Sequence, residues 1–206
     1  MKDYSQELNA WADELSAVHL PRWDELPSLN LYMDQVLEYI NETLSFLIVQ
    51  NPADTDERVK GDDKLLTSAM INNYVKQKLI PKPEKKRYQR RQLACLIVYV
   101  LLKQVLPLTD IQKGIYLQLE LCDRDFQVAY DLFCRQTEVG FAYVSDLTRS
   151  KIKNEQSYYT MPVTVLGTSM AALSLATKLI AQKVLALNIA EDDHNNYAIE
   201  TDTTTL

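Results

Sequence analysis

Apolar residues recur at helical spacing along most of the chain, and prolines and polar runs cut the pattern into segments. Trp11, Leu15 and Val18 lie in phase and Pro21 stops the run, so residues 1–22 read as an amphipathic leader. After Pro27, Leu31, Val36, Leu37, Ile40, Leu44 and Leu47, with Tyr32 and Met33 at the start, give one broad apolar face and predict a helix from Asn30 to Val49. Residues 50–64, QNPADTDERVKGDDK, hold Pro, Gly and clustered Asp, and read as a loop. Thr67 is a good N-cap for a short helix reaching Lys78, beyond which Pro81 and Pro83 frame an extended segment, PKPEKKRYQ. A strongly apolar helix is expected from Arg90 to Leu106, ended by Pro107. Thr109 and Asp110 cap another to Leu121, and Phe126, Tyr130 and Phe133 are in phase in a helix over 125–144. A polar break at 149–161 precedes a further helix at 163–188. The tail EDDHNNYAIETDTTTL is acidic and polar and is expected to be disordered.

Two apolar runs raise the question of a membrane. LACLIVYVLL at 93–102 is too short to span, and Lys178, Gln182 and Lys183 interrupt the run that starts at 163 before it reaches the ~20 apolar residues a span needs. No membrane partner is expected. The N-terminus is acidic, without the apolar stretch of a signal peptide, and a cytoplasmic location is the expectation.

Composition narrows the fold class. Only 4 Gly and 7 Pro in 206 residues argue against a turn-rich β fold and towards helices. Three cysteines, Cys95, Cys122 and Cys134, lie apart in apolar segments, as free thiols of a reducing compartment would. The net charge of −6 conceals a sharp division: residues 1–63 sum to −10, residues 64–103 to +9 with Glu84 the single acid, and residues 104–206 to −5. A basic island inside an acidic chain is the footprint of a polyanion-binding surface, unless it folds back on its acidic flanks.

The island has internal order. At about 100° per residue, Met70, Ile71, Tyr74 and Val75 form one apolar stripe of the Thr67–Lys78 helix, and Ala69, Asn72, Asn73 and Lys76 lie opposite. Asn can bridge adenine N6 and N7, Ala can touch a thymine methyl, and Lys can meet phosphate or guanine. The same face would also suit plain exposure to water. In the next segment Lys82, Lys85, Lys86, Arg87, Arg90 and Arg91 fall within ten residues, with Tyr88 among them; a projecting hairpin so charged can neutralise phosphates, though Arg90 and Arg91 also fit the polar start of the next helix. A capped short helix, a basic hairpin-sized segment, a buried helix and another capped helix have the order of a helix-turn-helix with a wing.

The run LTSAMINNYVKQKLIPKPEKKRYQRRQLACLIVYVLLKQVLPLTDIQKGI resembles the DNA-binding half of the MerR regulators at Tyr74, Leu79-Ile80-Pro81, Arg87-Tyr88, Leu93, Leu96 and Leu108-Thr109-Asp110-Ile111. With LPSLNLYMDQVLEYIN included, residues 23–122 are closer still to an uncharacterised MerR-like family of Gram-positive bacteria. The chain departs from the MerR pattern at Lys78, where Gly is usual, at Asn72, where Arg is usual, and in the longer 50–64 loop. The resemblance implies a mainly α fold: a winged helix-turn-helix with a small β wing, then a C-terminal helical region. The expected divisions are a leader (1–22), the DNA-binding domain (23–122), a helical dimerisation or regulatory region (123–190) and the tail (191–206). The partner implied is double-stranded DNA, bound by Ala69, Asn72, Asn73, Lys76, Lys82, Lys85, Lys86, Arg87, Tyr88 and Arg90 of a homodimer, with any effector unknown.

For the dimer, Leu166, Leu173, Ile180 and Leu187 repeat every seven residues, with Met170, Thr177 and Val184 in companion positions. Little charge flanks this seam, which favours an interface helix in a globular region over a solvated coiled coil. Enzyme chemistry has little to stand on. There are two histidines, His19 and His194, and neither a zinc-ligand spacing nor a phosphate loop nor a nucleophile elbow, so no catalytic, metal or cofactor site is expected. Two classes remain: a dimeric transcription regulator, or a protein-interaction adaptor that keeps the winged fold and docks an acidic partner on its basic face.

Overall fold

The computed structural model describes residues 5–48 and 64–153, with Ser174, Thr177 and Lys178. It is mainly helical: α1 Ser5–Ser16, α2 Met33–Thr43, α3 Ser68–Lys76, α4 Arg90–Leu102, α5 Leu108–Leu121 and α6 Phe126–Lys153, with 3-10 turns at Trp23–Glu25 and Ser45–Leu47. Among the described residues no helix is long and apolar enough to cross a membrane.

The core forms around α4. Every residue from Gln92 to Leu101 is buried, as a helix apolar nearly all round must be. Val36 and Ile40 of α2, Ile71 and Tyr74 of α3, Ile111 of α5 and Tyr130 and Cys134 of α6 join the same cluster. Helix α1 lies along α6. The chain leaving α1 is fastened to α6 by Arg22, whose two terminal nitrogens donate to the two Glu138 carboxylate oxygens at 2.7 and 2.5 Å, while the Leu20 amide also donates to Glu138 at 2.8 Å. Arg149 of α6 reaches back to Asp13 of α1.

Several boundaries differ from the periodicity, each for a local reason. The helix expected over 30–49 starts only at Met33, because Leu31 is extended and spends both its N–H and its C=O on Tyr88, at 2.9 and 2.8 Å. It ends at Thr43, and a 3-10 turn carries its last apolar residues. Helix α4 ends at Leu102, short of Leu106. Thr109 and Asp110 do not cap α5: the extended Pro107 takes that place, and its carbonyl accepts from the amides of Asp110 and Ile111. Asp110 then sits in the first turn, where a carboxylate suits the positive end of the helix dipole. Asp125 does cap α6, its side chain accepting from the Val128 amide at 3.0 Å, and α6 runs to Lys153, well past Val144.

The expected β wing is a tight turn rather than a ladder. Among the described residues there is no strand, only two isolated antiparallel bridges, Leu31 with Tyr88 and Glu84 with Arg87. Pro81 and Pro83 have no N–H to give to a ladder, so pairing cannot extend along that arm.

Candidate nucleic-acid interface

Helix α3 is set from both ends. The Thr67 hydroxyl accepts from the Met70 amide at 3.3 Å, as its N-cap position predicts. Ile71 and Tyr74 are buried, and the Tyr74 ring lies 5.4 Å from that of Tyr99 on α4. Burial holds both phenols above their ordinary pKa, so they serve as neutral wedges. With that stripe turned inward, Ala69, Asn72, Asn73 and Lys76 all stand exposed. Asn73 accepts from the Gln77 side chain at 3.0 Å.

The C-terminus of α3 explains the departure at Lys78. The Leu79 amide donates to the Tyr74 carbonyl at 2.9 Å and the Lys78 amide to that of Val75 at 3.1 Å, the paired bonds of a Schellman cap. Such a cap needs a left-handed residue, and Lys78 adopts it with φ 57°. Buried Leu79 and Ile80 then anchor the chain before the basic turn.

In that turn the Arg87 amide donates to the Glu84 carbonyl at 2.8 Å, and Lys85 and Lys86 between them have φ of 46° and 63°. Two left-handed central residues make a turn of the I′ kind, which matches the twist of a hairpin and usually carries Asn-Gly. Lysines here cost about 1–2 kcal/mol each in backbone strain. The hairpin holds because its return arm is fixed: Tyr88 is buried and its backbone is paired with Leu31. Arg87 stacks 4.8 Å from the Tyr32 ring centroid and donates to the Tyr32 hydroxyl at 2.7 Å. Lys82, Lys85, Lys86 and Arg87 are exposed.

Two of the residues expected to contact DNA are placed otherwise. Tyr88 is 3% exposed, so its ring belongs to the core and does not reach a ligand. The alternation of an extended arm could have signalled this, since an outward Arg87 sends its neighbour inward. Arg90 is partly buried and turned towards the turn after α1, donating to the Leu26 carbonyl at 3.1 Å and lying 3.5 Å from Asp24. Lys64 and Lys78 are exposed cations too, and Tyr32 steadies Arg87; none of these three is among the contacts expected from the sequence. Lys103, although in the basic island, points to the Leu65 carbonyl at 2.5 Å, and burial lowers its pKa.

The electrostatic outcome is clear-cut. Of the ten basic residues between 64 and 103, Arg90 alone has a carboxylate within 4 Å among the described residues. Several acidic groups of the described leader and of α5 and α6 are paired with cations of those same segments, as in Arg22–Glu138, Arg149–Asp13 and Arg124–Glu120.

A family model described as a domain of unknown function (DUF1836) matches residues 21–133, more than half of the chain. The chain belongs to that family. The matched region starts at Pro21, just after α1, and ends in the third turn of α6, so it takes in α3, the basic turn and the α4 core that carries them. No curated protein and no solved structure matches the chain.

The six residues expected at the dimer interface, Leu166, Met170, Leu173, Ile180, Val184 and Leu187, lie outside the described residues. Of the thiols, Cys95 and Cys134 are buried and Cys122 is half-buried, and all three are unpaired. Burial raises the Cys95 thiol to about 12 and that of Cys134 to about 11, which leaves both protonated and unreactive at neutral pH.

Proposed function

We propose that the protein is a dimeric transcription regulator that binds double-stranded DNA as a winged helix-turn-helix of MerR-like type. In this reading α2 and α3 are the helix pair, α3 enters the major groove, and the turn at Lys85-Lys86 is the wing. The observation that carries it is the cluster of exposed cations on a tight turn beside a helix whose outer face is Ala69, Asn72, Asn73 and Lys76. Cations left without acidic partners are available to phosphates, and short amides on a rigid helix are suited to base edges.

Each part has a stated role. Lys82, Lys85, Lys86 and Arg87 neutralise phosphates, Asn72 and Asn73 read bases, and Lys76 meets phosphate or guanine. Residues 163–188 join two chains, because one module buries too little surface to be specific and two-fold sites need two modules. A cytoplasmic location follows from this role.

The test is sequence-dependent binding. Duplexes selected from a random pool by the purified protein are titrated against parent and Asn72→Ala, beside an unselected duplex. Base reading by Asn72 predicts a loss of roughly 1–3 kcal/mol on the selected duplex and little on the other. Equal losses on both remove Asn72 from base readout, and a pool that yields no enriched sequence overturns the regulator reading in favour of an adaptor.

A further inference from the structure

Helices α4, α5 and α6 line a half-open cavity of about 510 Å³ that has no part in the proposed DNA binding. We propose that it is a binding site for an uncharged, largely hydrocarbon small molecule bearing a hydroxyl or carbonyl group.

The walls define the ligand. Val98 and Leu102 of α4, Ile111 and Ile115 of α5, and Phe126 and Phe133 of α6 present an almost wholly apolar lining. Such a surface rewards the transfer of hydrocarbon from water. Polar groups are few: Asp110, Gln118, Gln136, Thr137, the Tyr130 hydroxyl and the Cys95 thiol. Thr137 donates its hydroxyl proton to the Phe133 carbonyl at 2.9 Å and so offers lone pairs, while the two glutamine amides both donate and accept. No basic side chain lines the space, so a phosphate or carboxylate would be desolvated there without a counter-charge. Asp110 is already neighboured by Lys113 at 4.0 Å.

The size suits a small molecule. Ligand pockets commonly enclose roughly 300–1,000 Å³.

The cavity also reaches the start of α4. Phe126 on its wall lies under the Arg91 guanidinium, 4.8 Å away, in the first turn of α4. On its other side Phe126 meets Trp23 at 5.8 Å, and Trp23 lies 6.4 Å from Tyr130, another lining residue. Occupancy is thus felt at the first turn of α4, the helix that follows the basic turn in the chain. That consequence for DNA rests on the proposed function; occupancy itself does not.

The probe is the neutral fluorophore N-phenyl-1-naphthylamine, titrated into the full chain carrying Trp11→Phe so that Trp23 is the single tryptophan. The expected result is saturable binding of one probe per chain, with probe emission rising and Trp23 emission falling. Ile115→Phe and Ala129→Phe fill the cavity from α5 and α6 and are expected to weaken binding roughly tenfold or more. Circular dichroism identifies which of them is folded, and either one suffices. Absence of saturable binding to the folded parent, as when residues 163–188 occupy the space, overturns the proposal, and so does undiminished binding by a folded filling variant. Failure of the protein to bind DNA leaves this titration unchanged, so the two readings fail separately.

Discussion

Asn41 pairs with the backbone of Leu66 in both directions: its Nδ2 donates to the Leu66 carbonyl and its Oδ1 accepts from the Leu66 amide, each at 3.1 Å. The same Nδ2 donates to the Leu37 carbonyl at 2.7 Å. Leu66 is fully buried, so this side chain stands in for the missing partner strand of a segment that must cross the core to reach α3. Asn41→Leu keeps the branched shape and leaves two buried backbone groups unsatisfied, which predicts a loss of about 2–4 kcal/mol in urea unfolding. Asn41→Asp, which retains the acceptor alone, is expected to be destabilising too, since its carboxylate would face the Leu66 carbonyl. A loss under about 0.5 kcal/mol for Asn41→Leu would show that the clasp contributes little to folding.

Lys78 caps α3 in a conformation that glycine adopts without steric cost. Lys78→Gly removes left-handed strain of about 1–2 kcal/mol and gives back part of it as unfolded-chain entropy, for a net gain of about 0.5–1 kcal/mol. Thermal unfolding measures this as a higher Tm. A lower Tm would mean that the lysine side chain has a stabilising role in that cap.

The Arg22–Glu138 pair gives the fold an acid limit. Glu138 is held below the usual carboxylate range first by its hydrogen bond to Arg22, then by the Leu20 amide and by the charges of Arg22 and His19, against desolvation. A carboxyl with a depressed folded pKa stabilises fully above its unfolded pKa, and that contribution is lost as pH falls through the folded value. Stability should therefore decline below about pH 4, near the unfolded pKa of Glu. Glu138→Gln should be less stable at neutral pH and show a shallower decline over the same range in urea titrations. A variant whose acid decline matches the parent's would remove Glu138 from this role.

How far the chain could be read without a structure depends on how local each signal is. The faces of α3 were legible because Met70, Ile71, Tyr74 and Val75 repeat within one short helix, and Thr67 announces its start. The basic turn was legible as a charge cluster, but its I′ geometry was not, since Lys-Lys is a poor advertisement for left-handed backbone. Tyr88 was misplaced because its neighbours are charged, whereas the Leu31 pairing that turns it inward comes from 57 positions earlier in the chain. The Asn41–Leu66 clasp and the hold of Glu138 on Arg22 likewise join residues remote in sequence, and no periodicity reports them. The cavity is hidden likewise, since its walls are drawn from three separate helices.

The central claim is that the exposed cations of the basic turn meet phosphates. The most direct measurement is the slope of log K against log salt for a fluorescent duplex, taken for the parent and for the double variant Lys85→Asn, Lys86→Gly. Asn-Gly is the residue pair this turn prefers, so the hairpin is retained and stability is expected to rise rather than fall. The prediction is salt-sensitive binding by the parent and a slope shallower by about 0.9 for each phosphate that is no longer neutralised, roughly 1.8 for the pair, with weaker binding at every salt concentration. A parent that ignores duplex DNA at low salt, or a variant with the same slope and affinity, would contradict it.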